Sequence, residues 1–165
     1  MIEMLGVLAI VGVLSAGGIA GYSMAMQSYK TNQLIDKMQI IATKVRTLYK
    51  QGDYTGLTNT VLKNSGKISS SDLENPFGGE LQVRRSGLTV NSFHIDAHNI
   101  PSETCVDILQ TYWGQEDALA RIHVRDSSNT NKIVLEYGLG NYPAAFSDIL
   151  NYCNEDNLRI YVIFK

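Results

Sequence analysis

Residues 1–26 of the chain, MIEMLGVLAIVGVLSAGGIAGYSMAM, decide how the rest of the sequence is interpreted. They carry one charge, at Glu3, and are otherwise apolar or small. As an α-helix, residues 4–26 would extend over about 34 Å, enough to cross a hydrocarbon core of about 30 Å. We therefore predict a hydrophobic, membrane-spanning helix in this segment and a globular head in residues 27–165.

Glu3 is the unusual residue of this segment. A carboxylate in an apolar helix is costly in a bilayer unless a cation pairs with it, so an intramembrane Glu indicates a functional site with a partner. A natural partner is a cation from a neighbouring copy of the chain, such as its N-terminal amine. Glu3 is therefore the first candidate site residue, with a predicted role in assembly.

The stretch IEMLGVLAIVGVLS, residues 2–15, resembles the N-terminal signature of type IV pilins and related pseudopilins. In that family the apolar helix is first a membrane anchor and then the core of a filament. A prepilin peptidase removes a leader that ends in Gly, the new amine is methylated, and Glu is the fifth mature residue. Here Glu is third, so we expect that the leader and two mature residues are missing before Met1.

Other interpretations of residues 1–26 are less favoured. A secretory signal peptide would have a basic first part and a shorter apolar core. An ordinary single-span membrane anchor fits the hydrophobicity equally well. The glycines favour an assembling helix, because Gly17 and Gly21 form a small-xxx-small pair that allows close helix packing. Gly17 and Gly21 are therefore predicted helix-packing residues.

The second half of the same helix is predicted in residues 27–51, which contain neither proline nor glycine. Gly52, the next residue, is expected to end the helix. Apolar residues recur in this second half at steps of three and four, as on one face of a helix that packs on a core. This stripe consists of Leu34, Met38, Ile41, Val45 and Leu48, widened by Ile35, Ala42 and Tyr49. A soluble coiled coil is a weaker alternative because the heptad pattern is short.

Residues 52–79 are predicted to connect this helix to a sheet, with a short helix at residues 58–64. Asn75-Pro76-Phe77-Gly78-Gly79 is typical of a turn. The same order of residues resembles type IVb pilins, including the thin-pilus pilins of conjugative plasmids, in which this motif stands just before the first strand. An ordinary loop explains it about as well.

Residues 80–165 are predicted to form an antiparallel sheet with two short helices. The expected strands are residues 81–85, 88–97 with a bulge at Asn91-Ser92, 119–125, 132–137 and 158–164. Helices are expected to begin at Pro101 and Pro143. Their core-facing stripes would be Cys105, Leu109 and Tyr112 in the first and Phe146, Ile149, Leu150 and Cys153 in the second.

The two cysteines are predicted to form one disulfide. An even pair in a chain with an export-type N-terminus indicates an oxidising compartment. Two reduced core thiols are the alternative, and a nucleophilic Cys lacks a recognisable His motif. In the resembled family, the stretch bounded by Cys105 and Cys153 is the variable, surface-displayed part of the pilin.

No enzyme, metal or cofactor motif is present in the sequence. Residues 126–131 resemble a calcium loop only faintly and are better explained as a hairpin turn. The net charge of −2 argues against bulk electrostatic binding of nucleic acid. The face of Arg121, His123 and Arg125 could contact DNA or an acidic partner, but a solvated sheet face or a subunit contact is favoured. We therefore predict a non-enzyme with no cofactor and no specific nucleic-acid partner.

These observations predict an α+β protein with the type IV pilin fold, in which a long N-terminal helix with an apolar first half packs on a C-terminal antiparallel sheet. The resemblance implies the major structural subunit of a pilus, with itself, the assembly machinery and prepilin peptidase as partners. The chain would be a precursor in the inner membrane and then a subunit of an extracellular filament. The positive charges that follow the apolar segment argue for a cytoplasmic head, and a basic leader before Met1 would reverse this orientation. The alternatives are a minor pilin or secretion pseudopilin, and a membrane-tethered binding module that does not polymerise. The pilus would serve adhesion, conjugation, motility or DNA uptake.

Overall fold

The computed structural model describes residues 2–87, 91–113, 119–126, 128, 130–136 and 144–165. Side chains are described except at residues 2–6, 8–10, 13, 16, 131, 133 and 134. The described helices are α1 (Ile2–Leu48), α2 (Asn59–Asn64), α3 (Ser102–Gln110) and α4 (Phe146–Tyr152). The described strands are β1 (Gln82–Arg85), β2 (Phe93–Ile100), β3 (Leu119–Arg125), β4 (Asn131–Glu136) and β5 (Leu158–Phe164).

The first element is the single long helix that the sequence predicts. α1 is 47 residues long, which corresponds to about 70 Å. It ends a few residues before the predicted end, where the amide of Gly52 donates to the carbonyl of Tyr49 over 2.9 Å. Gly52 has φ of +73°, a left-handed conformation that glycine adopts without a steric penalty.

The predicted core stripe of α1 is confirmed. Leu34, Met38, Ile41 and Val45 are fully buried and belong to one hydrophobic core with the inner face of the sheet. Polar contacts hold the same part of α1 to the head at both ends. Thr31 shares a buried hydrogen bond of 2.8 Å with Thr104 of α3, and Arg46 Nε donates to the carbonyl of Lys165 over 2.9 Å.

The sheet is antiparallel, with the strand order β1-β2-β5-β3-β4. β5 lies between β2 and β3, so the prediction that the last strand pairs inside the sheet is confirmed. Alternate residues of β5 point to the core because a strand repeats every two residues, and Leu158, Ile160 and Val162 are fully buried. The predicted bounds of β3 and β5 agree with the structure.

The predicted bulge at Asn91-Ser92 is wrong. β2 begins only at Phe93, and Asn91, with φ of +54°, belongs to the connection before it. The register shift lies at the other end of β2, between Ala97 and Ile100, where Asn99 has φ of +58°. A change in the alternation of apolar residues therefore marked the edge of a strand here and not a bulge. The first predicted residues of that strand, 88–90, lie outside the described residues.

Two predicted core stripes on the short helices are partly wrong. α3 ends at Gln110, so Tyr112 is no longer on the helical stripe and is exposed, whereas Cys105 and Leu109 are buried. On α4, Ile149 is buried but Phe146 and Leu150 are exposed. A short helix that rests on the head through one turn buries only part of a four-residue stripe. The predicted start of this helix at Pro143 lies outside the described residues.

The connection between α1 and β1 is held against both elements. Thr58 caps α2, with its side chain accepting from the amide of Val61 over 3.3 Å. Lys37 donates to the carbonyls of Ser71 and Glu74 over 2.7 and 3.0 Å.

The Asn75–Gly79 turn is confirmed, because the amide of Gly78 donates to the carbonyl of Asn75 over 2.9 Å. The Asn75 side chain also donates to the carbonyl of His98 over 2.7 Å, which fixes the turn to β2.

Candidate assembly surface

The described side chains in the first half of α1 are not covered by the rest of the described chain. Leu14 and Ile19 are 69% and 72% exposed, and the apolar side chains at Val7, Val11 and Met24 are also exposed. The first buried side chain of the described part of α1 is Thr31. Large apolar side chains left in contact with water along a helix of this length mark a surface that another molecule or a membrane covers.

The structure places the predicted assembly residues on this exposed helix. Glu3 lies in the first turn of α1, and its side chain is not among those described. Gly17 and Gly21 are exposed and one helical turn apart, and a Cβ added at either would meet no heavy atom within 4 Å beyond the helix backbone. No other described part of the chain lies within 4 Å of such a Cβ, so their packing against a helix stays a prediction.

No helix among the described residues contains a stretch long and apolar enough to cross a membrane.

The predicted disulfide is present. Cys105 in the first turns of α3 is bonded to Cys153, which follows α4, and both residues are buried. The bond joins positions 48 residues apart, so it links α3 and β3, β4 and α4 into one covalently closed segment. Display of this segment on the surface of an assembly stays a prediction.

The face of β3 that carries Arg121, His123 and Arg125 is not a solvated stripe. His123 is only 5% exposed, and its Nε2 has no hydrogen-bond partner among the described residues. Burial, with Arg125 and Arg121 next in importance, lowers the pKa of His123 to about 4. The sequence missed this burial because a histidine between two arginines is typical of an exposed strand face.

Neighbouring strands explain the burial of His123. On β5, opposite His123, the Tyr161 ring lies between the guanidinium groups of Arg125 and Arg159, at 4.8 and 4.7 Å. Arg159 also forms a bidentate contact with the buried carboxylate of Asp96 on β2, with distances of 3.0 Å from Nε and 2.5 Å from Nη2. The charges of this sheet face are therefore largely bound to one another, which favours a structural role over an open site for a polyanion.

A polar groove of about 650 Å³ lies where α1 leaves the head. It is lined in part by Gln27 of α1, Glu103 of α3 and the turn before β5. In that turn, Asp156 accepts from the amide of Ser102 over 3.1 Å and so caps α3, and Glu155 pairs with Lys132. Across the described residues, no group of three or more His, Cys, Asp or Glu side chains could hold a metal ion.

The arrangement of a long, half-exposed helix on an antiparallel sheet with a C-terminal disulfide defines a type IV pilin fold. The crystal structure of TcpA, a type IV pilin from Vibrio cholerae El Tor biotype, superposes with a TM-score of 0.60 at 12% sequence identity. The match covers 82% of this chain and 98% of that one. The predicted fold class is therefore confirmed.

Sequence comparison identifies the family. Residues 23–153 match the family model described as Bundlin, and the chain belongs to that family. Among its relatives are the major structural subunits of bundle-forming pilus from Escherichia coli O127:H6 (strain E2348/69 / EPEC) and Escherichia coli O111:H-. Each is 28% identical over 117 residues, which is 66% of this chain. The chain spans about three fifths (61%) of the length of these curated relatives.

Proposed function

We propose that this chain is the structural subunit of a type IV pilus and that it polymerises through α1 into an extracellular filament. The observation that carries the proposal is the exposed apolar first half of α1, on which Leu14 and Ile19 lie largely open to solvent. The relatives in E. coli are major structural subunits of a pilus, which supports the same role here. The proposal gives the chain no catalytic activity.

The physical mechanism is burial of apolar surface between copies. Exposed apolar helices are unfavourable in water, so bundling of the first halves of α1 would drive assembly. The contact is heterologous, because one face of a helix meets a different face of the next copy, and such contacts generate helical fibres. Glu3 would pair with the N-terminal amine of a neighbour and set the register, since a buried charge without a partner is strongly destabilising.

Before assembly, the same half of α1 would hold the precursor in the inner membrane. Prepilin peptidase and the pilus assembly machinery would act on it there, and the close packing of Gly17 and Gly21 would follow in the filament.

The experiment is intact-mass analysis of the filaments sheared from producing cells, together with electron microscopy of the same fraction. We expect filaments whose main band is this chain, with a methylated N-terminus and with two hydrogens fewer than the reduced form because of the Cys105–Cys153 bond. A minor pilin or pseudopilin would give filaments in which this chain is a trace component. A tethered binding module would stay with the membranes and give no filaments, which would overturn the proposal.

A further inference from the structure

A second surface of α1 continues past the exposed apolar half and along the head. From Tyr22 onward, six exposed side chains larger than alanine lie within about 60° of rotation, at 100° per residue, on the side opposite the buried Leu34 and Met38. We name them the outer stripe: Tyr22, Tyr29, Asp36, Ile40, Thr43 and Thr47. The stripe begins on the part of the helix that the proposed assembly buries and runs on without a break, so the two surfaces are continuous.

The two threonines of the outer stripe have hydroxyl groups that are satisfied within the helix. Thr43 donates its hydroxyl to the carbonyl of Gln39 over 3.0 Å, and Thr47 donates to the carbonyl of Thr43 over 2.9 Å. Such bonds to the preceding turn satisfy the hydroxyl protons within the helix. The threonines can therefore be covered by another helix without losing hydrogen bonds, and together with Ile40 they present a weakly polar surface.

Asp36 is the one charged member of the outer stripe. Among the described residues it has no ion-pair or hydrogen-bond partner. A carboxylate that enters a packed helix interface is destabilising unless a cation meets it there.

Lys30 supplies the matching cation. Lys30, Lys37 and Lys44 follow one another at intervals of seven residues, and so lie on one flank of α1. Lys37 binds carbonyls of the 52–79 connection, and Lys44 pairs with Asp72 at 3.0 Å. Lys30, the third of the row, is half-buried where the helix leaves the head and has no such partner in the described part of the chain.

We propose that the outer stripe is an interface with the α1 helix of a second copy, in which Asp36 of one copy pairs with Lys30 of the next. Six residues separate them, so two parallel helices offset by about 9 Å would bring the two charges to the same level. This inference rests on the proposed function and adds a second charge pair that sets the register, in the head and far from Glu3.

The test is a charge swap read out as the yield of sheared filaments. Asp36→Lys and Lys30→Asp, each alone, place like charges together and are expected to lower the yield at least about tenfold. The double variant restores opposite charges and is expected to recover most of the wild-type yield. Asp148→Lys, a reversal of an exposed charge on α4, is the matched control and is expected to leave the yield within about twofold.

A second measurement uses the wild-type chain and so does not depend on the folding of any variant. Filaments grown from mixed light and heavy-isotope copies are treated with a carbodiimide, which joins a paired lysine and carboxylate without a spacer. We expect a cross-linked peptide that joins Lys30 of one label to Asp36 of the other.

Normal filament yield from Asp36→Lys, a double variant as poor as the single ones, or filaments without the cross-link would overturn this inference. In each of these cases wild-type filaments still form, so the proposed function stands. A wild-type chain that forms no filaments is the different outcome that removes the proposed function itself.

Discussion

The two halves of α1 are parts of one continuous helix, yet they differ in whether the rest of the described chain covers their apolar side chains. Ile19 in the first half is 72% exposed, whereas Ile41 in the second half is fully buried. The second half gains its stability from the sheet of its own chain. The described side chains of the first half meet no such surface, which favours a partner outside this chain. Secondary structure alone therefore says nothing about which half belongs to the folding unit.

The largest effect on filament formation is expected when the first half of α1 is deleted. Deletion of residues 1–26 removes none of the buried side chains of the described head, because burial on α1 begins at Thr31. We expect complete loss of filaments with a melting temperature of the head within about 3 °C of the full chain, as measured by circular dichroism. An unfolded or aggregated head would mean that the first half also stabilises the domain.

The next prediction concerns the charge of the first half. Glu3→Ala should give a folded protein that stays in the membrane but yields at least about tenfold fewer filaments, because the register-setting pair is lost. Electron microscopy of the sheared fraction checks this. Ser15→Ala, a neutral change on the same half of the helix, is the control and should assemble normally. Filament numbers equal to wild type for Glu3→Ala would remove the role assigned to this residue.

A matched pair of substitutions compares the halves directly. Ile41→Ala should lower the free energy of unfolding by about 3 kcal/mol, because it leaves a cavity in the core. Ile19→Ala should change it by less than about 0.5 kcal/mol and reduce filament yield instead. Urea denaturation of the unassembled protein in detergent measures the first effect. Equal losses of stability for the two variants would contradict the division of the helix.

The pH dependence of stability tests the head alone. The folded-state pKa of His123 is lowered to about 4, below the ordinary 6.5, so the unfolded chain takes up the proton first as the pH falls. Its contribution to stability is complete above about pH 6.5 and is lost as the pH falls toward 4, by about 3 kcal/mol in total.

His123→Gln supplies the control for this titration. The variant should show a flatter decline in urea midpoint between pH 7.5 and 4.5 than the wild type, an interval of about three pH units around the ordinary pKa of histidine. Filament yield at neutral pH should not follow this titration. If the decline is the same in His123→Gln as in the wild type, it belongs to other groups, such as the half-buried His94, whose pKa is also lowered by burial.

The smallest expected effect lies at the boundary between the halves. Thr31→Val removes one partner of the buried hydrogen bond to Thr104 and should cost about 1 kcal/mol of stability, measured as a shift of the urea midpoint. The double variant with Thr104→Val should recover part of this loss, since neither hydroxyl is then left without a partner.

Thr43→Val is the matched control for this boundary prediction. It makes the same chemical change on α1, but at an exposed position whose hydroxyl bonds only to the preceding turn of its own helix. It should therefore change the free energy of unfolding by less than about 0.5 kcal/mol. If Thr43→Val lowered the free energy of unfolding as much as Thr31→Val, the cause would be the presence of valine in the helix and not the loss of the buried hydrogen bond.

Much of this fold could be predicted because its main elements carry strong periodic signals. The steps of three and four from Leu34 to Val45 fix which face of α1 meets the head, and strict alternation fixes β5. The Cys105–Cys153 bond follows from a single pair of cysteines. In these elements the local pattern and the three-dimensional environment agree.

The wrong predictions concern residues whose environment is made by distant parts of the chain. Phe146 and Leu150 have the spacing of a core stripe, but nothing in their local sequence says that α4 touches the head through one turn only. His123 has the sequence of an exposed strand, but it is buried opposite Tyr161 of β5, which follows it by 38 positions in the chain. Helix and strand periods show which side chains share a face and not what lies against that face.

The strand order also determines when the head can form during synthesis. β1 and β2 can pair as soon as both are made, and so can β3 and β4, because each pair is adjacent in the chain. The two hairpins meet only through β5, which is inserted between β2 and β3. Since a chain is synthesised from the N-terminus onward, the described sheet stays open until residues 158–164 have been made. The described sheet is therefore completed by its last strand, late in the synthesis of the chain.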